Sequence, residues 1–555
     1  MESQKRILIV GGVAGGASCA TRARRLSEEA RIILFDKGPF VSFANCGLPY
    51  YVGDVIKKEE ALLVATPDLF RKRFNIEVRL NSEVISIDRQ KSEIEVLEFA
   101  ADRSYREKYD ALVLSPGASP IRLPVPGAEL PGVFTIRDIP DSRRIREWIA
   151  KSGARRAMVV GGGFIGLEMT ENLAGLGLEV TIAEMQPQVM PLMDPEMVVL
   201  VHDELRRHGV SLLLGDEVAG FERLPDGAIF VRMKSAKSEK TDIVILGVGV
   251  RPETKLARDA GLEIGELGGI RVNDQMVTSD PKIWAVGDAV EVRDFVTGKW
   301  ALMPLAGPAN RQGRLAADVI MGRDRRFRGS QGTIVCGVFD LTVASVGASE
   351  KTLRRLGVWD KYEKIYLYPG HHANYFPGAR PLSLKLIFSK EDGRIAGAQA
   401  VGRQGVDKRI DVISMAIQNN ATVFDLEEAE LCYGPQFGSA KDPVNLAGMI
   451  ASNVIRGDAA LAHWDELEGA DAFILDVREP SEFAKGHLHN AVNIPLNDLR
   501  AGMVDLPKDR EIWAYCHVGQ RSYYAARVLS QHRFNVKTLS GGYKTIMLGR
   551  DAIKQ

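Results

Sequence analysis

The stretch Ile7-Leu8-Ile9-Val10-Gly11-Gly12-Val13-Ala14-Gly15-Gly16 decides the fold. An aliphatic strand enters a glycine-rich turn, a helix is expected from Ala17 to Leu26, and the strand Ile32-Ile33-Leu34-Phe35 delivers Asp36. Strand, helix and strand in that order make a βαβ unit. Its glycines let the backbone approach a pyrophosphate at the helix N-terminus, and an acid about 20 residues on binds a ribose hydroxyl. Gly11, Gly12, Ala14, Gly15 and Gly16 are therefore candidate cofactor contacts, with Asp36 on the ribose and Lys37 beside it. Val13 stands where the usual fingerprint has its middle glycine, a departure that the surrounding strand, helix and acid offset.

A second copy follows the strand Ala157-Met158-Val159-Val160. Gly161-Gly162-Gly163-Phe164-Ile165-Gly166 fits the full pattern, and Val180-Thr181-Ile182-Ala183 ends on Glu184. Gly163, Phe164, Ile165, Gly166 and Glu184 are the candidate contacts here. Two such folds imply two dinucleotides, and a carboxylate at Glu184 repels a 2′-phosphate, which favours NADH with NADPH as the alternative. The chain carries no other internal repeat and no low-complexity segment.

The chain has 555 residues, 45% of them hydrophobic, with 72 basic and 72 acidic side chains. These values describe a soluble chain of three or four domains and speak against a nucleic-acid partner. Met1-Glu2-Ser3-Gln4-Lys5-Arg6 runs into the first strand without an apolar targeting region, and no segment reaches about 18 uninterrupted apolar residues. A cytoplasmic protein with no membrane partner is the expectation. The five cysteines are Cys19, Cys46, Cys336, Cys432 and Cys516. Without C-x-x-C pairs or clustered histidines they fit neither a disulfide framework nor a zinc site, so no metal is expected.

Cys46 lies in Val41-Ser42-Phe43-Ala44-Asn45-Cys46-Gly47-Leu48-Pro49-Tyr50, close behind the first glycine turn. With no second cysteine near it in sequence, it must work as a mixed disulfide or a sulfenic acid rather than as half of an internal disulfide. Pro49 suits a first helical turn, and a helix N-terminus there would favour the Cys46 thiolate. The competing interpretation is a buried small hydrophobe.

Leu112-Val113-Leu114-Ser115-Pro116-Gly117-Ala118, Leu246-Gly247-Val248-Gly249-Val250-Arg251-Pro252 and Thr278-Ser279-Asp280-Pro281-Lys282-Ile283-Trp284-Ala285-Val286-Gly287-Asp288 resemble motifs of the flavoprotein disulfide reductase family. The resemblance implies FAD on the first βαβ unit, NADH on the second, and a homodimer. It adds Asn45, Ser115, Pro116, Gly117, Gly249, Gly287, Pro304, Leu305 and Ala306 to the cofactor contacts, with Asp288 on the ribityl chain. The expected fold class is α/β. Two Rossmann-like domains bind FAD (1–150, completed by 276–328) and NAD (151–275), followed by an α+β dimerisation domain (329–455). Alternating residues at Leu382 to Phe388 and a helix from Lys408 to Asn419 suit that module, and a boundary near residue 460 precedes a segment with its own signature.

Within the family, Ser42 to Tyr50 is similar to the site of coenzyme A disulfide reductases, whose single cysteine pairs with coenzyme A as a mixed disulfide. His372-Ala373-Asn374-Tyr375-Phe376-Pro377-Gly378-Ala379, Tyr433-Gly434-Pro435 and Ser439-Ala440-Lys441-Asp442-Pro443 resemble segments that place two tyrosines of the partner subunit over that cysteine. Tyr375 and Tyr433 match them, and interface packing is the plainer role for both. Coenzyme A carries several phosphate charges, so Arg22, Arg25, Arg71, Lys72 and Arg73 are candidates for binding it, beside Ser42 and Asn45. A solvated helix face has the same look. Asn310 and Arg311 join them by resemblance.

Ile474-Leu475-Asp476-Val477-Arg478-Glu479-Pro480, Gly486-His487-Leu488-His489-Asn490-Ala491-Val492-Asn493-Ile494-Pro495 and Tyr515-Cys516-His517-Val518-Gly519-Gln520-Arg521-Ser522 resemble a single α/β rhodanese domain over 462–555. The inward N–H groups of such a short loop, with Arg521, make an electropositive cradle for the Cys516 thiolate and its persulfide. A coenzyme A thiol at Cys46 and sulfane sulfur on Cys516 imply reduction of coenzyme A persulfide, a polysulfide or coenzyme A disulfide. A protein sulfur donor is a further candidate partner, and bound coenzyme A a candidate ligand. The alternatives are disulfide reduction as the main activity, an NADH oxidase or peroxidase working through a sulfenic acid, or a non-catalytic redox sensor. Oxidase relatives carry a histidine where this chain has Ala14.

Overall fold

The computed structural model describes residues 4–554, which form two compact units, 4–185 with 216–332 and 186–215 with 333–554. The first unit holds both βαβ copies. Its first parallel sheet runs Ile283–Ala285, Ala111–Leu114, Arg6–Val10, Arg31–Phe35, Glu77–Arg79 in spatial order. The late strand Ile283–Ala285 thus returns to finish the sheet that the N-terminal strands begin. Ile7, Leu8, Ile9, Ile32, Ile33 and Leu34 are all buried, in a core shared with Ala20, Leu315 and Ala316 from helices and with Val84, Ile87, Ile94 and Val96 from an antiparallel sheet, which keeps the middle of each strand apolar. In the second copy Glu179–Glu184, Arg156–Val160, Ile243–Leu246 and Val133–Phe134 lie side by side, all parallel.

The first helix spans Ala14–Leu26, three residues longer at its start than the sequence suggested. Gly15 and Gly16 are inside it because helix and strand touch there: a Cβ on Gly16 would sit 1.9 Å from the Gly11 carbonyl oxygen. The helix Ala306–Ile320 packs against it just as closely, with a Cβ on Gly313 falling 2.0 Å from the Gly15 carbonyl oxygen.

In the second unit an antiparallel sheet runs Ile334–Val338, Leu341–Gly347, Ile395–Gly402, Leu382–Ser389, Tyr362–Leu367. The helix Val406–Gln418 packs on it. The C-terminal module is a parallel sheet in the order Leu461–Ala462, Val536–Leu539, Ile512–Tyr515, Phe473–Asp476, Val492–Asn493. Residues 186–215 group with this unit by their contacts. The buried Lys385 ammonium explains that attachment, lying 2.8 Å from Asp194, 2.6 Å from Glu196 and 2.7 Å from Glu350. Among the described residues no helix is long and apolar enough to cross a membrane.

Candidate active site

The two glycine loops are built alike. Gly11 and Gly161 take left-handed φ values of 93° and 107°, and each donates its N–H to the strand end opposite, at Phe35 and Ala183, over 2.8 Å. The next amide in each loop binds the strand's acid: Gly12 N–H to Asp36 Oδ2 at 2.9 Å, Gly162 N–H to Glu184 Oε2 at 2.7 Å. Val13 and Gly163 precede their helices with negative φ values of −91° and −77°, so this position needs no glycine and Val13 is accommodated. Neither helix N-terminus has a side-chain cap, which leaves first-turn amides for an anionic ligand. Ser115 and Gly287 flank the first loop, Gly287 with φ of 84° and its N–H on Gln312 Oε1 at 2.7 Å. Asp288 beside it is half-buried, and that burial raises its pKa against the pull of Arg137. These residues fit two dinucleotides, one on each loop.

Cys46 sits in a single 3-10 turn, Asn45–Gly47, ahead of the short helix Leu48–Val52 that has Pro49 in its first turn. The turn is tied to the glycine loop by Ser42, whose N–H donates to the Gly12 carbonyl at 2.8 Å and whose φ of 49° turns the chain sharply. The Cys46 thiol is solvent-accessible, so it is no buried hydrophobe. Against the expected activation stand its surroundings in the folded chain. Burial on its protein side and the carboxylates of Glu168 and Asp288 raise its pKa, against a lowering backbone hydrogen bond.

Glu168 went unnoticed in the sequence. It follows the second glycine motif on the helix Phe164–Gly175, against which the Leu48–Val52 helix packs. Burial pushes its carboxyl up to about 7, with Tyr50 pulling the other way. An acid two residues past the last glycine of the motif, on a helix that also carries Thr170, Glu171 and Asn172, gives no signal in the sequence that marks it. Such a carboxyl is half-protonated near neutrality and can hold or release a proton beside the thiol.

Tyr375 and Tyr433 come together in the second unit, where their hydroxyls hydrogen-bond. Both are exposed, at 73% and 51%. Among the candidate phosphate ligands, Arg22 pairs with Asp318 on Ala306–Ile320 at 2.6 Å and Arg71 with Asp68 at 2.6 Å. Arg25, Arg73 and Arg311 are exposed. Asn310 accepts from Ser18 at 2.5 Å, and Asn45 donates to the Arg137 carbonyl at 3.2 Å.

Cys516 directly follows the strand Ile512–Tyr515 and is fully buried. Gly519, at φ of 99°, turns its N–H onto the Cys516 sulfur at 3.2 Å, and the helix Gln520–Gln531 begins one residue later. Arg521 lies near the Cys516 sulfur and is ion-paired as well. Both of its terminal nitrogens are held by Glu482, at 2.6 and 2.7 Å. That pairing, with a smaller contribution from the Cys516 sulfur, raises the Arg521 pKa and brings Glu482 down to about 2. His517 is lowered, first by burial, with Lys544, Arg478 and Arg521 adding to it and Glu482 opposing.

Comparison with known proteins agrees with this arrangement. Residues 5–313 match the pyridine nucleotide-disulphide oxidoreductase family, 334–442 that family's dimerisation domain and 460–547 the rhodanese-like domain. A coenzyme A disulfide reductase of Staphylococcus epidermidis is 38% identical over 447 residues, 80% of this chain and 99% of its own. The crystal structure of reduced Bacillus anthracis CoADR-RHD is 47% identical with a TM-score of 0.96, covering 98% of each chain. An NAD-dependent persulfide reductase from A. fulgidus is 36% identical with a TM-score of 0.89, over 97% of this chain and 99% of its own. With two dinucleotide loops, a lone thiol beside the first and these matches along its length, the chain belongs to the pyridine nucleotide-disulphide oxidoreductase family, as an FAD- and NAD(H)-dependent enzyme with a C-terminal rhodanese-like domain.

Proposed function

We propose that the chain, as a cytoplasmic homodimer, reduces coenzyme A persulfide and related polysulfides, together with coenzyme A disulfide, using NADH and releasing thiol and hydrogen sulfide. One observation carries this reading: a solvent-accessible lone thiol tied to the first dinucleotide loop shares its chain with a buried thiol in a rhodanese-like domain. Gly11 to Gly16 with Asp36 hold FAD, and Gly161 to Gly166 with Glu184 hold NADH. FAD, when bound, supplies the two-electron relay between NADH and sulfur.

The Cys46 thiolate attacks the carbon-bonded sulfur of the persulfide. The S–S bond breaks, hydrosulfide leaves, and Cys46 is joined to coenzyme A in a mixed disulfide. Two electrons from NADH cleave that disulfide to the Cys46 thiolate and the coenzyme A thiol. In sum, persulfide, NADH and a proton give thiol, hydrogen sulfide and NAD. Glu168 holds a proton beside the thiol. In the dimer the Tyr375 and Tyr433 pair of one protomer serves Cys46 of the other, donating to the leaving sulfur. Arg25, Arg73 and Arg311 are the arginines most open to coenzyme A phosphates, since Arg22 and Arg71 are already in ion pairs. Cys516 accepts or supplies the sulfane sulfur.

The second reading, plain coenzyme A disulfide reduction, draws on relatives of that name that align over 80% of this chain. One assay separates them: anaerobic kcat/KM for coenzyme A persulfide and for coenzyme A disulfide, with sulfide recorded. A persulfide preference of about tenfold or more, roughly 1.4 kcal/mol in the transition state, with stoichiometric sulfide, is expected. Preference for the disulfide establishes the second reading.

A further inference from the structure

Both tyrosine loops are rooted on one buried side chain, Arg409, which lies on the helix Val406–Gln418 and is 1% exposed. Its Nη2 donates to the His371 carbonyl at 2.8 Å, where the segment bearing Tyr375 begins. The same nitrogen donates to Asp442 Oδ2 at 2.8 Å and Nε to Oδ1 at 3.2 Å, where the segment bearing Tyr433 ends. Nη1 is satisfied by the Gly405 carbonyl at 3.2 Å. Asp442 Oδ1 also accepts from the Val444 N–H at 3.1 Å, capping the helix Pro443–Ile455. The two segments meet again where the Ala373 N–H donates to the Gly438 carbonyl at 3.0 Å, and Phe376 closes a turn onto the Ala373 carbonyl at 2.9 Å.

The hydroxyls of Tyr375 and Tyr433 are therefore the exposed tips of two loops whose bases share a guanidinium. We infer that Arg409 is a positioning residue that sets the geometry of the Tyr375–Tyr433 pair; this rests on the reading that the pair serves the thiol chemistry. The planar fork is what the position requires. It spans a carboxylate on one loop and a carbonyl on the other at once, which the single ammonium of a lysine cannot do in the same place.

Arg409→Lys in the full-length, flavin-loaded protein tests this, with coenzyme A disulfide as the probe. The kcat is expected to fall at least about tenfold with KM within about threefold, while NADH still bleaches the flavin at the parental rate. Combined with Tyr375→Phe, the loss should not add: Arg409→Lys should cost less than about twofold further in that background. Additive losses, or an unchanged kcat, overturn the inference. If Tyr375→Phe itself turns over like the parent, the tyrosine reading falls and the role of Arg409 with it. If Tyr375→Phe is impaired and Arg409→Lys is not, only the role of Arg409 falls. Should Arg409→Lys not fold, Asp442→Asn keeps the helix cap, loosens the guanidinium, and is taken through the same cycle with the same criteria.

Discussion

The phenol oxygens of Tyr375 and Tyr433 share a hydrogen bond although the residues are 58 positions apart, on loops that leave both side chains exposed. Tyr433 holds the Tyr375 pKa up, since the shared proton favours the neutral phenol. A neutral phenol can donate to a leaving thiolate. Tyr433→Phe removes the partner and lowers the Tyr375 pKa. Turnover of coenzyme A disulfide should drop by about tenfold to a hundredfold, within the usual size of general-acid help. Stopped-flow bleaching of the flavin by NADH should keep its rate. Undiminished turnover would show the tyrosines to be packing groups.

Cys46 and Glu168 form a coupled pair whose sign can be read from alkylation. The thiol is raised by burial and then by the Glu168 carboxylate, and Glu168 ionises at about 7. Above that pH its negative charge opposes the thiolate; below it the opposition disappears. Glu168→Gln removes the charge at every pH. The pH profile of Cys46 modification by iodoacetamide, followed by mass spectrometry, should move to lower pH in the variant, with the gap opening above pH 7. A coincident pair of profiles would sink the coupling. Cys46→Ser, by contrast, should abolish acceptor reduction and keep flavin bleaching by NADH.

What could be read from the sequence is what neighbouring residues decide. The glycine turns, Asp36 and Glu184 follow from strand, turn and strand within about 25 residues, and each acid lands on the amide that the loop presents. Val13 looked like a defect in the fingerprint, yet its position carries a negative φ and tolerates a side chain. The raised Cys46 pKa was hidden because burial of the thiol, and then the approach of Glu168 and Asp288 from distant segments, exist only in the folded chain. Glu482 on Arg521 and Arg409 beneath the tyrosine loops were hidden for the same reason: each is an ion pair between segments with no local pattern to announce it. Tyr375 and Tyr433 were identified by resemblance alone, and only the fold brings their hydroxyls together.

Cys516 is buried under the Gly519 amide with Arg521 beside it, so its chemistry should be separable from that of Cys46. Cys516→Ser should lose at least about a hundredfold in sulfur transfer from a sulfane donor to cyanide, because the nucleophile itself is gone. The same protein should still reduce coenzyme A disulfide at close to the parental rate. Unchanged sulfur transfer would remove Cys516 from the reaction.

Lys385 binds Asp194, Glu196 and Glu350 at once and is fully buried, with Lys364 adding a second cation to Glu350 at 3.0 Å. Burial opposes the charge on Glu350, but Lys385 and Lys364 outweigh it and hold its pKa far below the ordinary carboxylate range. A depressed carboxylate contributes stability above its unfolded pKa and loses it as pH falls toward the folded value. The parent should therefore weaken on acidification below about pH 4 to 5, where carboxyls of the unfolded chain take up protons. Lys385→Met leaves the carboxylates without that cation and should cost about 3 to 5 kcal/mol at pH 8. Here the sign reverses: proton uptake relieves the repulsion among the three acids, so the variant should recover part of the loss between pH 8 and pH 5 while the parent holds level. Denaturant melts at both pH values measure this, and a variant whose stability runs parallel to the parent's would mean that the three acids are not relying on Lys385.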